Sequence, residues 1–140
     1  MSHWNVGDTA NSLWVFSQED VEAFAVISGD DNDLHLNEDE AAKSIFKRRI
    51  VHGILTTGRI SALLGTQLPG KGTAFLSAEL KFKAPLYPGE EIEARVTVTE
   101  IDDAKKKMKL DASVTKTSDG TVVVLGTVEV LLRDRVMLAA

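Results

Sequence analysis

The longest helical pattern of the chain, Val51 to Leu68, constrains the possible folds more than any other stretch. Its large apolar residues are spread around much of the helix circumference, at positions Ile54, Leu55, Ile60, Leu63, Leu64 and Leu68. A helix that is apolar on most sides is usually buried. Pro69 and Gly70 predict its end. The rest of the chain must therefore supply a cover for this helix.

The second half of the chain changes from helical spacing to alternation of apolar and polar residues. This alternation occurs in residues 75–83, 92–99 and 108–115 and predicts three half-buried strands. Ser118–Gly120 predicts a hairpin turn. Thr121 to Leu132 is apolar at successive positions, which predicts a central strand or one covered on both faces.

The first 46 residues predict one strand and two helices. Thr9 to Phe16 is interpreted as a strand. Ser17 and Asp20 have the spacing of a capping box at the start of a helix, and Gly29 suits a left-handed helix end. A second short helix is expected from Glu38 to Phe46.

These elements predict an α+β fold in which one antiparallel sheet wraps around the long central helix. A length of 140 residues suits a single domain, taken here as residues 1–140. The only large apolar surface available to cover the helix is the sheet. Because such a sheet has open edges, pairing with a second copy of the chain is expected.

The composition excludes several classes of function. A net charge of −5 argues against general affinity for nucleic acid. The chain has no cysteine, so thiolate chemistry is excluded and a cytoplasmic location is compatible. No apolar run approaches the roughly 20 residues needed to span a membrane. Three histidines and the lack of a Gly-rich nucleotide motif agree with chemistry that uses no metal and no cofactor.

A polar segment before the long helix combines residue types suited to acid–base chemistry. Asp30 and His35 lie five residues apart in a stretch rich in Gly, Asn and Asp, a composition that favours a loop. A carboxylate and an imidazole on such a loop can form an acid/base pair. Gly53, at the start of the helix, would offer a backbone N–H where the helix dipole favours developing negative charge.

Each of these features also has a purely structural interpretation. Asp30 and Asn32 could be ordinary turn residues, and His35 could be a structural histidine. His52 is interpreted as a helix-start residue rather than as an acid or a base. The basic cluster Lys47–Arg49 could be a solvated connector or could contact the phosphates of a ligand.

Three motifs give the chain a family resemblance. The segments Ser28–His35 (SGDDNDLH), Ile50–Gly53 (IVHG) and Leu68–Gly72 (LPGKG) resemble those of the MaoC-like hydratases, which have the hot-dog fold. Among them, the chain is most similar to the short (R)-specific enoyl-CoA hydratases. The hot-dog fold alone would not separate hydratases from thioesterases or binding proteins, so the loop pattern carries the resemblance.

The resemblance implies a reversible syn addition of water to a trans-2-enoyl thioester, giving an (R)-3-hydroxyacyl thioester. It assigns the catalytic pair to Asp30 and His35. It also assigns to Gly53 the backbone N–H that binds the thioester oxygen.

The resemblance extends to residues that bind the substrate and to the partners. Asn32 matches the asparagine of the family loop, and Ser61 matches a serine that supports the site. Leu64 could line the acyl pocket or belong to the core. The implied substrate is an acyl-CoA or acyl-carrier-protein thioester, and the implied assembly is a homodimer with the site near its interface.

One departure from the family pattern concerns Asp33, which stands where the family usually has proline. Asp31 adds another acid beside Asp30. Carboxylates this close together raise the proton affinity of at least one of them. The departure bears on loop geometry and rate more than on the class of reaction.

Two other functions are compatible with the same fold. A hot-dog thioesterase would need a carboxylate that activates water at the thioester carbonyl. A non-catalytic module would bind acyl thioesters without turnover. Product analysis with an enoyl-CoA substrate separates the three.

Overall fold

The computed structural model describes residues 3–138. Its main features are one antiparallel sheet and a central helix. The five strands lie in the order β1-β3-β4-β5-β2. In chain order the elements are β1 (Thr9–Val15), α1 (Gln18–Ser28), α2 (Asp33–Leu36), α3 (Glu38–Ala42), α4 (Gly53–Thr66), β2 (Ala74–Phe82), β3 (Glu91–Asp102), β4 (Lys107–Lys116), β5 (Val122–Leu131) and α5 (Arg133–Val136).

Helix α4 packs on the sheet and completes the hydrophobic core. It contacts β1, β2, β3 and β4, and it buries Ile60 and Leu63 completely or nearly so. Burial of each such side chain typically stabilises a protein by about 1.5–3 kcal/mol. The strands contribute the alternate apolar residues Ile92, Ala94, Val96, Val98, Met108, Leu110, Ala112 and Val114. The predicted α+β fold with a sheet around a central helix is confirmed.

The burial predicted for strand β2 is wrong. Strand β2 was expected to be half-buried, but Leu76 is 43% exposed and Phe82 is 52% exposed. The reason is its place at the sheet edge, where β5 is its only strand partner among the described residues. Strand β5 is internal as predicted, but Leu125 is exposed because only one face of the sheet carries α4.

The predicted start and end of the first helix are confirmed. Both bonds of the capping box form, from Asp20 N–H to Ser17 Oγ and from Ser17 N–H to Asp20 Oδ2. Gly29 has a φ of 81°, and its N–H donates to the Ala25 carbonyl. Helix α1 therefore ends directly before Asp30, and its C-terminal turn fixes the direction in which the backbone enters that residue.

The segment after α1 is more helical than its composition predicted. Asn32 accepts a hydrogen bond from the Leu34 N–H and so caps the one-turn helix α2 inside the expected loop. Helix α3 ends at Ala42, four residues before the predicted end. The chain turns there because Ser44 Oγ donates to the Ala41 carbonyl and Lys47 takes a φ of 69°.

A membrane-spanning helix was not expected from the sequence. Within residues 3–138, no helix combines the length and the apolar character needed to cross a membrane.

Candidate active site

A cavity of about 450 Å³ opens where α4 begins. The polar groups of Asp30, His35, His52 and Gly53 line one part of it. The other walls are mainly apolar and include Phe46, Ile54, Phe82, Leu86 and Val123. A concave apolar pocket with a few converging polar groups is the usual form of a small-molecule site.

Asp30 presents an exposed carboxylate to this cavity. Its backbone N–H donates to Ser28 Oγ at 3.1 Å. Within residues 3–138, its Oδ1 accepts only one long contact, at 3.4 Å from the Asn32 N–H. Most of the hydrogen-bonding capacity of the carboxylate is therefore open to water or to a ligand.

His35 is held firmly in the same polar part of the cavity wall. Its ring Nδ1 lies 2.8 Å from the Ile50 carbonyl oxygen, and Gln18 Nε2 donates to the His35 carbonyl. Because a carbonyl oxygen only accepts, Nδ1 carries the hydrogen, and in the neutral imidazole Nε2 then has the lone pair. Nε2 is thus the atom of His35 that can accept a proton.

Asp30 and His35 come together as the sequence suggested. The ligand atoms of Asp30, His35 and His52 all lie within 4.8 Å of one another. One water molecule can bridge a carboxylate and an imidazole across such a gap, which is the geometry required of a general acid/base pair.

Gly53 is the first residue of α4 and lies beside this pair. The N–H groups of a first helical turn have no intrahelical acceptor, and within the described chain no side chain caps this helix at His52. A Cβ at Gly53 would lie 2.6 Å from Cε1 of Phe82. The aromatic ring therefore packs where any larger residue would place its side chain.

His52 is a site residue whose role sequence reasoning missed. It stands at the N-cap position of α4, as a helix-start residue should, but its ring is buried in the site. The ring stacks on that of His35 with centroids 3.8 Å apart and bonds the Asp30 carbonyl at 2.9 Å. Its position directly before Gly53 was the only signal available in the sequence.

Three residues expected to bind the substrate lie outside the cavity wall of the single chain. Asn32 is exposed and caps α2. Ser61 is exposed on α4, and Leu64 is a core residue with 2% exposure. Thr56 lines the cavity instead, one helical turn after Gly53, and its Oγ1 donates to the His52 carbonyl. That spacing could have identified Thr56 in the sequence.

The basic cluster near the cavity mouth is partly structural. Arg48 lies over the Tyr87 ring at 3.9 Å, and Arg49 forms a 2.9 Å ion pair with Glu38. Lys47 is exposed, and Lys83 lines the cavity. Both lysines remain available to a negatively charged ligand.

The spacing of Asp30, His35 and His52 is also compatible with a divalent metal ion. A metal is not needed to activate water when a general base is positioned beside it.

Comparison with known proteins places these features in a family context. The sequence profile described as "MaoC like domain" matches residues 7–120. An (R)-specific enoyl-CoA hydratase of Rhodospirillum rubrum is 42% identical over 129 residues, which are 92% of this chain and 88% of that protein. A mitochondrial 3-hydroxyacyl-[acyl-carrier-protein] dehydratase of Arabidopsis thaliana is 33% identical over 135 residues, which are 95% of this chain and 80% of that protein.

A solved structure has nearly the same fold. The (R)-hydratase of Aeromonas caviae, described as involved in PHA biosynthesis, has a TM-score of 0.90 and 39% identity. The match covers 94% of this chain and 99% of that chain. The likeness confirms the hot-dog fold expected from the sequence motifs.

Proposed function

The chain belongs to the MaoC-like domain family, and from this premise we propose that it is an (R)-specific enoyl-CoA hydratase. It adds water reversibly to a trans-2-enoyl thioester and forms an (R)-3-hydroxyacyl thioester. The observation that carries the proposal is the convergence of Asp30 and His35 in a cavity that begins at the Gly53 N–H. Relatives similar over nearly the whole chain bear hydratase and dehydratase names, which supports the same reaction class.

Water activation is the work of the carboxylate and the imidazole. Asp30 accepts one hydrogen bond from the bound water, and His35 Nε2 accepts the other and takes up the proton. The water oxygen then bonds to C3 of the enoyl group while the π electrons move toward C2 and the thioester oxygen. A proton from the same pair is delivered to C2. Since both groups lie on one side of the substrate, the addition is syn.

The thioester oxygen gains negative charge during this step, and Gly53 can stabilise it. Its N–H lies at the positive end of α4, where the peptide dipoles favour an anion. Loss of one such donor typically costs about 10²–10³-fold in rate, or about 3 kcal/mol of barrier.

The remaining cavity walls suit the body of the substrate. The apolar side chains of Phe46, Leu86 and Val123 can receive the acyl chain. Lys83 and the exposed Lys47 can meet the phosphates of coenzyme A. The assignments of Asn32, Ser61 and Leu64 stay predictions, to be tested by substitution against a series of chain lengths.

We also propose that the chain functions as a homodimer. Within the part of the chain that the structure describes, the edge strand β2 has one side without a strand partner, and Phe75, Leu76 and Phe82 are exposed on it. Pairing of two β2 strands would satisfy the open edge and cover these side chains. Phe82 also lines the cavity, so such a partner would lie close to the site.

The function is tested by incubating the pure protein with crotonyl-CoA. The hydratase proposal predicts loss of the enoyl absorbance without release of free thiol. Thiol release would instead identify a thioesterase, and binding without either change would identify a binding module. Parallel assays with the matching acyl-carrier-protein thioester decide which carrier the enzyme uses.

A further inference from the structure

His52 lies inside the candidate site, yet the proposed reaction assigns no role to its side chain. Its side chain is 2% exposed and lines the same cavity as Asp30 and His35. His52 is the N-cap residue of α4, but within residues 3–138 its side chain makes no capping hydrogen bond. A polar ring is costly to bury unless its hydrogen bonds are made, so the bonds that it does make indicate its purpose.

The hydrogen bond of His52 identifies its tautomer. Nε2 lies 2.9 Å from the Asp30 carbonyl oxygen, and because that oxygen only accepts, Nε2 carries the hydrogen. Nδ1 is buried and has no hydrogen-bond partner among the described residues. A second ring proton there would find no acceptor. His52 therefore donates from Nε2 to Asp30, and the described part of the site offers no acceptor for a hydrogen on its Nδ1.

The ring faces of His52 make the other contacts. The imidazole of His35 stacks on it with centroids 3.8 Å apart and an interplanar angle of 26°. The Phe24 ring meets it edge-on, with centroids 4.8 Å apart. One side chain thus touches the backbone of Asp30 through its N–H and the ring of His35 through its face.

We propose that His52 is a positioning residue that sets the geometry between Asp30 and His35. Its Nε2–H holds the backbone at Asp30, so that the Asp30 carboxylate meets the same water as the His35 ring on which His52 stacks. The inference rests on the proposed function, in which Asp30 and His35 are the reacting pair. A displacement of about 1 Å between reacting groups can cost about 100-fold in rate, so the hydrogen bond should act on kcat.

Two variants of His52 separate the hydrogen bond from simple packing. His52→Gln keeps an N–H donor near the position of Nε2 but has no ring, whereas His52→Phe keeps a ring but has no donor. We expect His52→Phe to lose about 100-fold in kcat with crotonyl-CoA and His52→Gln to lose about 10-fold or less, with KM little changed in both. Packing alone predicts the reverse order. The inference is wrong if His52→Phe is at least as active as His52→Gln.

A second readout does not depend on turnover. Long-range ¹⁵N–¹H correlation spectra of the histidine rings report which nitrogen carries the hydrogen. We expect the Nε2–H tautomer for His52 and the Nδ1–H tautomer for His35, and a His52 ring protonated at Nδ1 would overturn the inference. If the wild-type protein does not hydrate crotonyl-CoA, the proposed function fails and the positioning role falls with it. An active wild type with the reverse order of variants overturns only the role of His52.

Discussion

Asp30 offers the most direct test of the proposed chemistry because its carboxylate is exposed and, among the described residues, accepts only one long hydrogen bond. Asp30→Asn keeps the shape and removes the charge that orients the water. We expect kcat to fall by about 10²–10⁴-fold and the free energy of unfolding to change by less than about 0.5 kcal/mol. Steady-state kinetics and thermal unfolding measure the two effects. The neighbouring Asp31→Asn is the matched control, and an Asp30→Asn enzyme with near wild-type kcat would remove this residue from the pair.

His35 differs from Asp30 because it is buried and supports the fold in addition to its proposed part in the chemistry. His35 is only 9% exposed, and its ring bonds the Ile50 carbonyl. We expect His35→Ala to abolish most activity and to lower the free energy of unfolding by about 1–3 kcal/mol. Denaturant unfolding alongside kinetics tests both parts. Retained activity in the folded variant would contradict the catalytic assignment.

Glycine is required at position 53 because the Phe82 ring occupies the space that a larger side chain would need. In Gly53→Ala the new Cβ meets the Phe82 ring, which must shift. We expect a loss of about 10-fold or more in kcat/KM as the ring and the nearby N–H are displaced. The double variant Gly53→Ala/Phe82→Leu should recover part of this loss. If the double variant is simply the product of the two single effects, the contact between the two residues is not the cause.

At the scale of elements, helix α1 is stabilised by its N-terminal cap and positions Asp30 at its other end. Both bonds of the capping box form at Ser17, and the helix ends at Gly29, directly before Asp30. We expect Ser17→Ala to lower the free energy of unfolding by about 1 kcal/mol. Thermal unfolding measures this, with Ser118→Ala in an exposed turn as the control. Equal melting temperatures for the two variants would contradict the role of the cap.

At the scale of the whole molecule, the open edge at β2 decides the assembly. Leu76 is exposed at the irregularity where the pairing between β2 and β5 shifts. A lysine there would place a charge in the proposed interface, so we expect Leu76→Lys to shift the protein from dimer to monomer. Light scattering during size-exclusion chromatography measures this. Val26→Lys on α1 is the control at another exposed apolar site, and a Leu76→Lys protein that stays dimeric would exclude this edge.

Local patterns in the sequence were sufficient where the physical cause is itself local. The capping box at Ser17 and the left-handed turn at Gly29 depend on residues only a few positions apart. The same holds for the alternation in β3 and β4, because successive side chains of a strand point to opposite faces. The spacing of the large apolar residues likewise predicted that α4 is central, because a helix that is apolar on most sides is usually buried.

Tertiary structure decided every feature that depends on contacts between distant segments. The exposure of β2 follows from the strand order, which alternation along one strand does not encode. The ring of His52 became a site group only when α4 packed beside the Asp30 turn, since a stacked pair of rings has no signature in residue spacing. The meeting of Phe82 with Gly53 likewise joins residues 29 positions apart. Sequence alone thus determined which groups could react, and folding determined which of them meet.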